Sequence, residues 1–197
     1  MKTEFSAIIA GTMRWGTWGK NLDKFEMSKM ILECVSQQIT TFDHADIYGD
    51  YTTESDFGKA LRFSGINRHE IQLITKCGIQ LPSEPRKVAI KHYDYSKAHI
   101  IWSVENSLRN LQTDYLDLLL LHRPSPLMNS EVIGESIAEL KKEGKIQDFG
   151  VSNFSAEQIS LINGKAEISA NQIQFSAADL SAMTDGTIDF MVQHGIK

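Results

Sequence analysis

Along the whole chain, short aliphatic or β-branched runs alternate with longer stretches of helical period, and this alternation limits the fold more than any other feature. A strand that leads into a helix returns most simply as a parallel neighbour of the next strand, so the pattern predicts repeated strand-helix units around a parallel sheet. Six strands are read, at residues 7–10, 40–42, 71–75, 116–121, 148–151 and 170–174. Helices follow at residues 23–37, 53–63, 96–111, 130–143, 155–162 and 185–194. Ser96, Ser130 and Ser155 stand where N-caps are wanted, and Gly144 follows Lys141, Lys142 and Glu143 where a left-handed helix stop is expected. Residues 80–95, with Pro82, Pro85 and mixed charge, read as an irregular loop over the strand ends.

Two parallel architectures fit this pattern, an open doubly wound sheet and most of an eight-stranded barrel. The first calls for a glycine-rich phosphate loop where the first helix opens. Here the first strand runs into Gly11, Thr12, Met13, Arg14, Trp15 and Gly16, which lacks the G-x-G-x-x-G turn. The barrel is preferred on that ground.

Composition narrows the function classes. With 42% hydrophobic and 23% charged residues, the chain has the make-up of a globular protein and not of a disordered one. Its net charge of -5 is spread with both signs mixed, and no Lys/Arg block suited to a phosphate backbone occurs, so nucleic acid is not expected as a partner. The most apolar run, residues 116–121, contains Asp117 and is too short to cross a bilayer, and residues 1–9 lack the apolar run of a signal peptide. Cys34 and Cys77 are too few for a disulfide framework, and Cys34 sits among Ile31, Leu32 and Val35 like a small core residue. A soluble protein of the reducing cytoplasm is expected.

In a parallel barrel, chemistry gathers at the C-terminal ends of the strands. The second strand ends in Asp43 with Tyr48 in the loop beyond, the third in Lys76, the fourth in His122, the fifth in Ser152 and Asn153, and the sixth includes Gln172. A phenol is a poor acid at neutral pH unless its anion is stabilised. Lys76 would lower the pKa of Tyr48, Asp43 would hold Lys76 charged and aimed, and His122 would hydrogen-bond a substrate oxygen or share the proton.

Each residue also has a plain structural role: a turn cap for Asp43, amphipathic packing for Tyr48, a snorkelling cation for Lys76, a satisfied buried ring for His122. Their joint placement at successive strand ends favours the chemical role. Zinc is not expected, because His44, His92, His99 and His122 have no Cys or His partners at ligand spacing. Ser103, Ser107 and Ser136 lack the G-x-S-x-G turn of a hydrolase nucleophile, and Glu33, Glu54 and Glu105 are read as helix residues facing water.

The strings TFDHADIYG, LITKCG, LDLLLLHRP, FGVSNF and NQIQFS, in this order, resemble the aldo-keto reductases, most closely a bacterial branch of oxidoreductases. The resemblance runs from Ile9 to Lys197. It implies a (β/α)8 TIM barrel that binds NADPH (NADP+) in extended form and passes its hydride to an aldehyde or ketone carbon, the substrate being a small carbonyl compound. Tyr48 matches the family's proton donor, Lys76 and Asp43 the pair that tunes it, and His122 the residue that orients the carbonyl. Ser152, Asn153 and Gln172 match positions that bind the nicotinamide carboxamide, and Asp43 with Gly11, Thr12 and Met13 matches the floor under cofactor and substrate. Trp15 and Trp18 are read as pocket lining or as packing.

The family pattern continues past the segment HGIK with two more strand-helix units, the first supplying an aromatic that stacks on nicotinamide and the second the basic site for the 2′-phosphate. The fold class expected for residues 1–197 is therefore α/β, a single incomplete TIM-barrel domain of about six strand-helix units. Its first and sixth strands would then be open edges. The function expected is NADPH-dependent reduction of aldehydes and ketones with Tyr48 as general acid. The alternatives are a non-catalytic cofactor-binding regulatory subunit on the same scaffold and an inactive truncated fragment.

Overall fold

The computed structural model describes residues 3–84 and 86–197; Met1, Lys2 and Pro85, the last inside the expected loop, lie outside the described residues. In chain order the elements are β1 (Ile9–Gly11), α1 (Lys24–Ser36), β2 (Thr41–Asp43), the short turn α2 (Tyr48–Tyr51), α3 (Thr53–Ser64), β3 (Gln72–Cys77), β4 (Ile79–Gln80), β5 (His92–Tyr93) and α4 (Lys97–Leu111). They continue with β6 (Leu116–Leu121), α5 (Ser130–Lys142), β7 (Ile146–Ser152), α6 (Ala156–Asn163), β8 (Ala170–Gln172), α7 (Ser181–Thr184) and α8 (Thr187–His194).

The main sheet has six strands in the order β1-β2-β3-β6-β7-β8, and every neighbouring pair is parallel. Strands that follow one another in sequence stay neighbours without reversal. That is the winding of a barrel, whereas a doubly wound sheet reverses its order at a switch point. Alternate residues of the same strands serve two cores. Ile74, Leu118, Leu120 and Ala170 meet on the inner face with Phe5 against them, while Phe42, Leu73, Leu119, Leu121, Phe149 and Val151 pack outward against Met27, Phe57, Ile100 and Ile137 of the helices. All six residues of β6 are buried, as expected of a strand covered on both faces. Gly150 faces Ala170 across the β7–β8 pairing, where a Cβ would lie 2.4 Å from the Ala170 carbonyl oxygen.

Local chemistry sets the element ends. Asp23 caps α1 in a capping box with Glu26, Ser96 caps α4, and Ser155 caps α6 with Gln158 returning the bond. The cap of α5 is Asn129 and not Ser130, because the Asn129 side chain accepts from the Glu131 and Val132 amides. Gly144 has φ of 71° directly after that helix, the left-handed stop expected of it.

Three other expectations are corrected. The first strand begins at Ile9 and not Ala7, because the Thr41 amide donates to the Ser6 hydroxyl (3.0 Å) and not to a backbone carbonyl. The loop 80–95 is partly ordered: β4 and β5 form an antiparallel ladder pairing Ile79 with Tyr93 and Gln80 with His92. The last helix begins at Thr187 and not Asp185, since Gly186 takes φ of 83°, and the separate short turn α7 precedes it.

β1 and β8 are the outer strands of the sheet among the described residues. The edge of β8 is not bare. The Asn171 amide donates to the Lys197 carbonyl (2.9 Å) and the Lys197 amide to the Ser169 carbonyl (3.0 Å), so residue 197 lies alongside it in parallel fashion.

Candidate active site

Parallel pairing aligns the ends of β1, β2, β3 and β6. Gly11 stands opposite Asp43, Asp43 opposite Ile74, and Lys76 opposite Leu120; the His122 amide then donates to the Cys77 carbonyl at 3.0 Å. Lys76 is 2% exposed, and an ammonium buried that deeply needs a partner for each of its three protons. It has them: Nζ donates to Asp43 Oδ1 and Oδ2 at 2.6 and 2.7 Å, to the His44 carbonyl at 2.8 Å and to the Tyr48 hydroxyl at 3.3 Å. The His122 ring stands edge-on to Tyr48 with centroids 6.1 Å apart. Lys76 thus links Asp43 to the Tyr48 hydroxyl, and the His122 ring stands beside the Tyr48 ring.

Tyr48 reaches this point through an unusual turn. Gly49, Asp50 and Tyr51 take φ of 59°, 54° and 70° in succession, a left-handed stretch that strains the two residues bearing a Cβ. At Gly49 a Cβ would also strike Thr53 Oγ1 at 2.4 Å. The turn is tied down by Thr52 Oγ1 donating to the Gly49 carbonyl (2.7 Å) and by the Tyr51 hydroxyl accepting the Leu81 amide (2.8 Å).

The electrostatics amend one expectation. Burial raises the Tyr48 phenol above its ordinary 10.0, and this outweighs the lowering by Lys76. The resting phenol is therefore protonated at neutral pH. His122 is held down to about 3, first by burial and then by the cations Lys76, Arg123 and Lys91. At neutral pH its imidazole is therefore uncharged, which favours hydrogen bonding over sharing a proton. Its Nδ1 is buried with no partner among the described residues.

A second polar layer behind these residues was not legible as part of the site. His44 is fully buried, its Nδ1 bonded to Thr12 Oγ1 (2.9 Å), and its pKa is lowered to about 3 by burial and then by Lys76. Asp46 accepts from Ser103 Oγ at 2.7 Å, and burial drives its carboxyl up to about 8. Glu54, expected to face water, is 1% exposed and accepts from Thr75 Oγ1 at 2.6 Å; burial raises its pKa above 4.5. Its spacing held the missed signal: Glu54, Phe57, Gly58 and Leu61 lie on one buried face of α3. Glu33 and Glu105 are exposed.

The residues matched to cofactor binding divide. Ser152 is buried with its hydroxyl donating to the Gln172 carbonyl (3.1 Å), while the Gln172 side-chain amide makes no hydrogen bond to the described residues. Asn153 has φ of 56°, accepts the Gln174 amide (2.7 Å) and donates to Ser152 Oγ (3.1 Å), so much of its amide serves the turn. Thr12 is fully buried with its hydroxyl on the Asp43 carbonyl (2.9 Å), whereas Gly11 and Met13 are exposed beside it. Trp15 packs on Phe42 and Phe57; Trp18 leans on Tyr48 with centroids 6.2 Å apart.

Against known proteins, the model of the aldo/keto reductase family matches residues 7–197, and the chain belongs to that family. An uncharacterized oxidoreductase of Bacillus subtilis is 47% identical over 189 residues, which cover 94% of this chain and 62% of that protein. An oxidoreductase of Escherichia coli is 38% identical over 196 residues, covering 98% of this chain and 65% of its own length. The 6-dehydroglucose reductase of Agrobacterium fabrum is 39% identical over 199 residues, covering 100% and 67%. Among solved structures, the glycerol dehydrogenase of Gluconobacter oxydans matches with a TM-score of 0.86 at 26% identity, over 100% of this chain and 59% of that one. An aldo-keto reductase of Bacillus halodurans in holo form matches at 0.84 and 30% identity, over 98% and 60%. The chain spans about two thirds or less of the length of these relatives, and its curled sheet is the corresponding part of their (β/α)8 barrel.

Proposed function

We propose that this chain carries the reaction centre of a nicotinamide-dependent reductase that converts small aldehydes or ketones to alcohols, with NADPH as its cofactor. The observation that carries the proposal is the Lys76 ammonium, which is ion-paired to Asp43 and at the same time donates to the Tyr48 hydroxyl (3.3 Å). A cation so placed has little structural use for the phenol and much chemical use, because it stabilises the phenolate left when the proton departs.

A reduced nicotinamide, when bound, supplies the hydride. Gln172 and Ser152, with Asn153 helping to shape the turn, would hold its carboxamide, and their amide and hydroxyl groups suit a partner that both donates and accepts. Tyr48 is the general acid: its O–H proton goes to the carbonyl oxygen as that oxygen becomes an alkoxide, and the charge left on Tyr48 faces Lys76. Neutral His122 donates a hydrogen bond to the same oxygen and orients the carbonyl. Asp43 holds Lys76 in place and charged.

The test follows NADPH consumption by its absorbance with an activated benzaldehyde as substrate. Tyr48→Phe is expected to lower kcat by about a hundredfold or more while the protein stays folded. A folded Tyr48→Phe variant with unchanged kcat would defeat the assignment.

A further inference from the structure

We propose that the substrate of this centre bears a carboxylate near its carbonyl group and that Arg123, with Lys91, receives it; this rests on the reductase reading above and narrows its substrate class. Arg123 follows His122 directly at the end of β6. Its peptide is held at both polar groups by one side chain, since the Tyr95 hydroxyl donates to the Arg123 carbonyl and accepts the Arg123 amide (3.2 Å). The Tyr95 ring in turn lies so close over Gly78, which has φ of 106°, that a Cβ there would fall 1.9 Å from it. The backbone that carries the guanidinium is thereby anchored to the strand ends, while the side chain itself is exposed.

Charge around the reaction centre is one-sided. The groups whose charge acts on the Tyr48 hydroxyl are Lys76, Asp43 and Arg123, and those acting on the His122 ring are Lys76, Arg123 and Lys91. Asp43, the one carboxylate in this set, is taken up by Lys76 at 2.6 Å. Neither Arg123 nor Lys91 is in an ion pair among the described residues, which is equally true of other exposed cations such as Arg62 and Lys142; what distinguishes these two is that their charge acts on the reaction centre. Beside the buried ammonium of Lys76, the reaction centre thus has two further cations that no carboxylate of the described residues pairs with. Like charges gathered this way repel, and an anion entering among them relieves the repulsion and is drawn in from solution. The planar guanidinium fork matches the two oxygens of a carboxylate, and the lysine adds a point charge beside it.

The experiment compares kcat/KM for 4-carboxybenzaldehyde and its neutral, similarly shaped amide, 4-carbamoylbenzaldehyde, in the wild-type protein, Arg123→Gln and Arg123→Lys. The wild type is expected to prefer the carboxylate by about tenfold or more, Arg123→Gln to erase most of that preference, and Arg123→Lys to keep part of it. The preference should also shrink as salt is added. A wild type with no preference, or a ratio that stays within about twofold in Arg123→Gln, overturns the proposal. So does an Arg123→Gln variant that weakens NADPH binding with the ratio unchanged, which would give the cation to a cofactor phosphate. Calorimetric titration of the NADP+-loaded protein with 4-carboxybenzyl alcohol and with its amide counterpart forms the second arm. If neither aldehyde is reduced, the reductase reading fails, and the difference in binding still decides the anion site.

Discussion

Asp46 offers a direct test of how the polar layer behind the reaction centre is held. Burial lifts its carboxyl from an ordinary 3.8 to about 8, against the opposing bond from Ser103. Between those values the unfolded chain has lost this proton while the folded chain keeps it, so each pH unit in that window costs the fold about 1.4 kcal/mol. The folded value lies above the unfolded one. The stability tied to this group is therefore complete below the ordinary 3.8, declines as pH rises, and levels off above about 8. At pH 7 the accumulated loss is about 4 kcal/mol. Asp46→Asn removes it, because the amide does not ionise and its oxygen can still accept from Ser103. The new NH2 falls where Oδ1 now has no partner among the described residues, which returns about 1–3 kcal/mol. A net gain of about 1–3 kcal/mol is expected at pH 7, changing to a small loss near pH 4. Urea unfolding of both proteins across that range measures the difference. A difference that does not change with pH, or an Asn variant that is the less stable at pH 7, refutes the reasoning.

Lys76→Met leaves the Asp43 carboxylate without its cation and is expected to destabilise the fold by about 3–5 kcal/mol, part of which Asp43→Asn restores in the same background; urea midpoints measure both. The His122 ring, held at about 3, should show no protonation step in NMR between about pH 5 and 8. Because its folded value is depressed below 6.5, its contribution to stability is present above that value and is lost as pH falls through it toward about 3. Gly150→Ala sets a methyl group against the Ala170 carbonyl oxygen, a backbone atom that cannot rotate away, and is expected to cost about 1–3 kcal/mol in chemical denaturation.

Much of the fold was readable because β6 is apolar except for Asp117, because β3 and β7 carry buried aliphatic or aromatic residues between their polar ones, and because the helices between them keep their period and caps. Element ends were less readable where a side chain replaced a backbone group. Ser6 takes the Thr41 amide and delays β1, and Asn129 reaches two amides and displaces Ser130 as the cap. The candidate site was legible where polar side chains stand at strand ends, as for Asp43, Lys76 and His122, which the fold brings together. It was not legible where polar side chains face inward from helices. Glu54 on α3 and Ser103 on α4 look like solvated residues in sequence, and only the packing of those two helices over β3 makes them interior. Likewise the left-handed run from Gly49 to Tyr51 carries a turn signal in Gly49 and Asp50 but none that would put Tyr51 in the left-handed region.

The two polar layers have separate tasks. All three protons of Lys76 have acceptors, so the ammonium cannot swing toward another group. Its field at the Tyr48 oxygen then depends on how many negative charges surround it. Had Asp46 and Glu54 both been ionised at neutral pH, the carboxylates near Lys76 would outnumber it, and the phenolate on Tyr48 would form against a negative field. Burial prevents this for Asp46, whose carboxyl keeps its proton up to about pH 8, and pushes Glu54 in the same direction. Asp43 then remains the carboxylate paired with the ammonium, and its two oxygens aim Nζ. The buried second layer, with Asp46 kept protonated and Glu54 shifted in the same direction, thus fills space with polar groups while limiting the negative charge near the Tyr48 oxygen, as the proposed reaction requires.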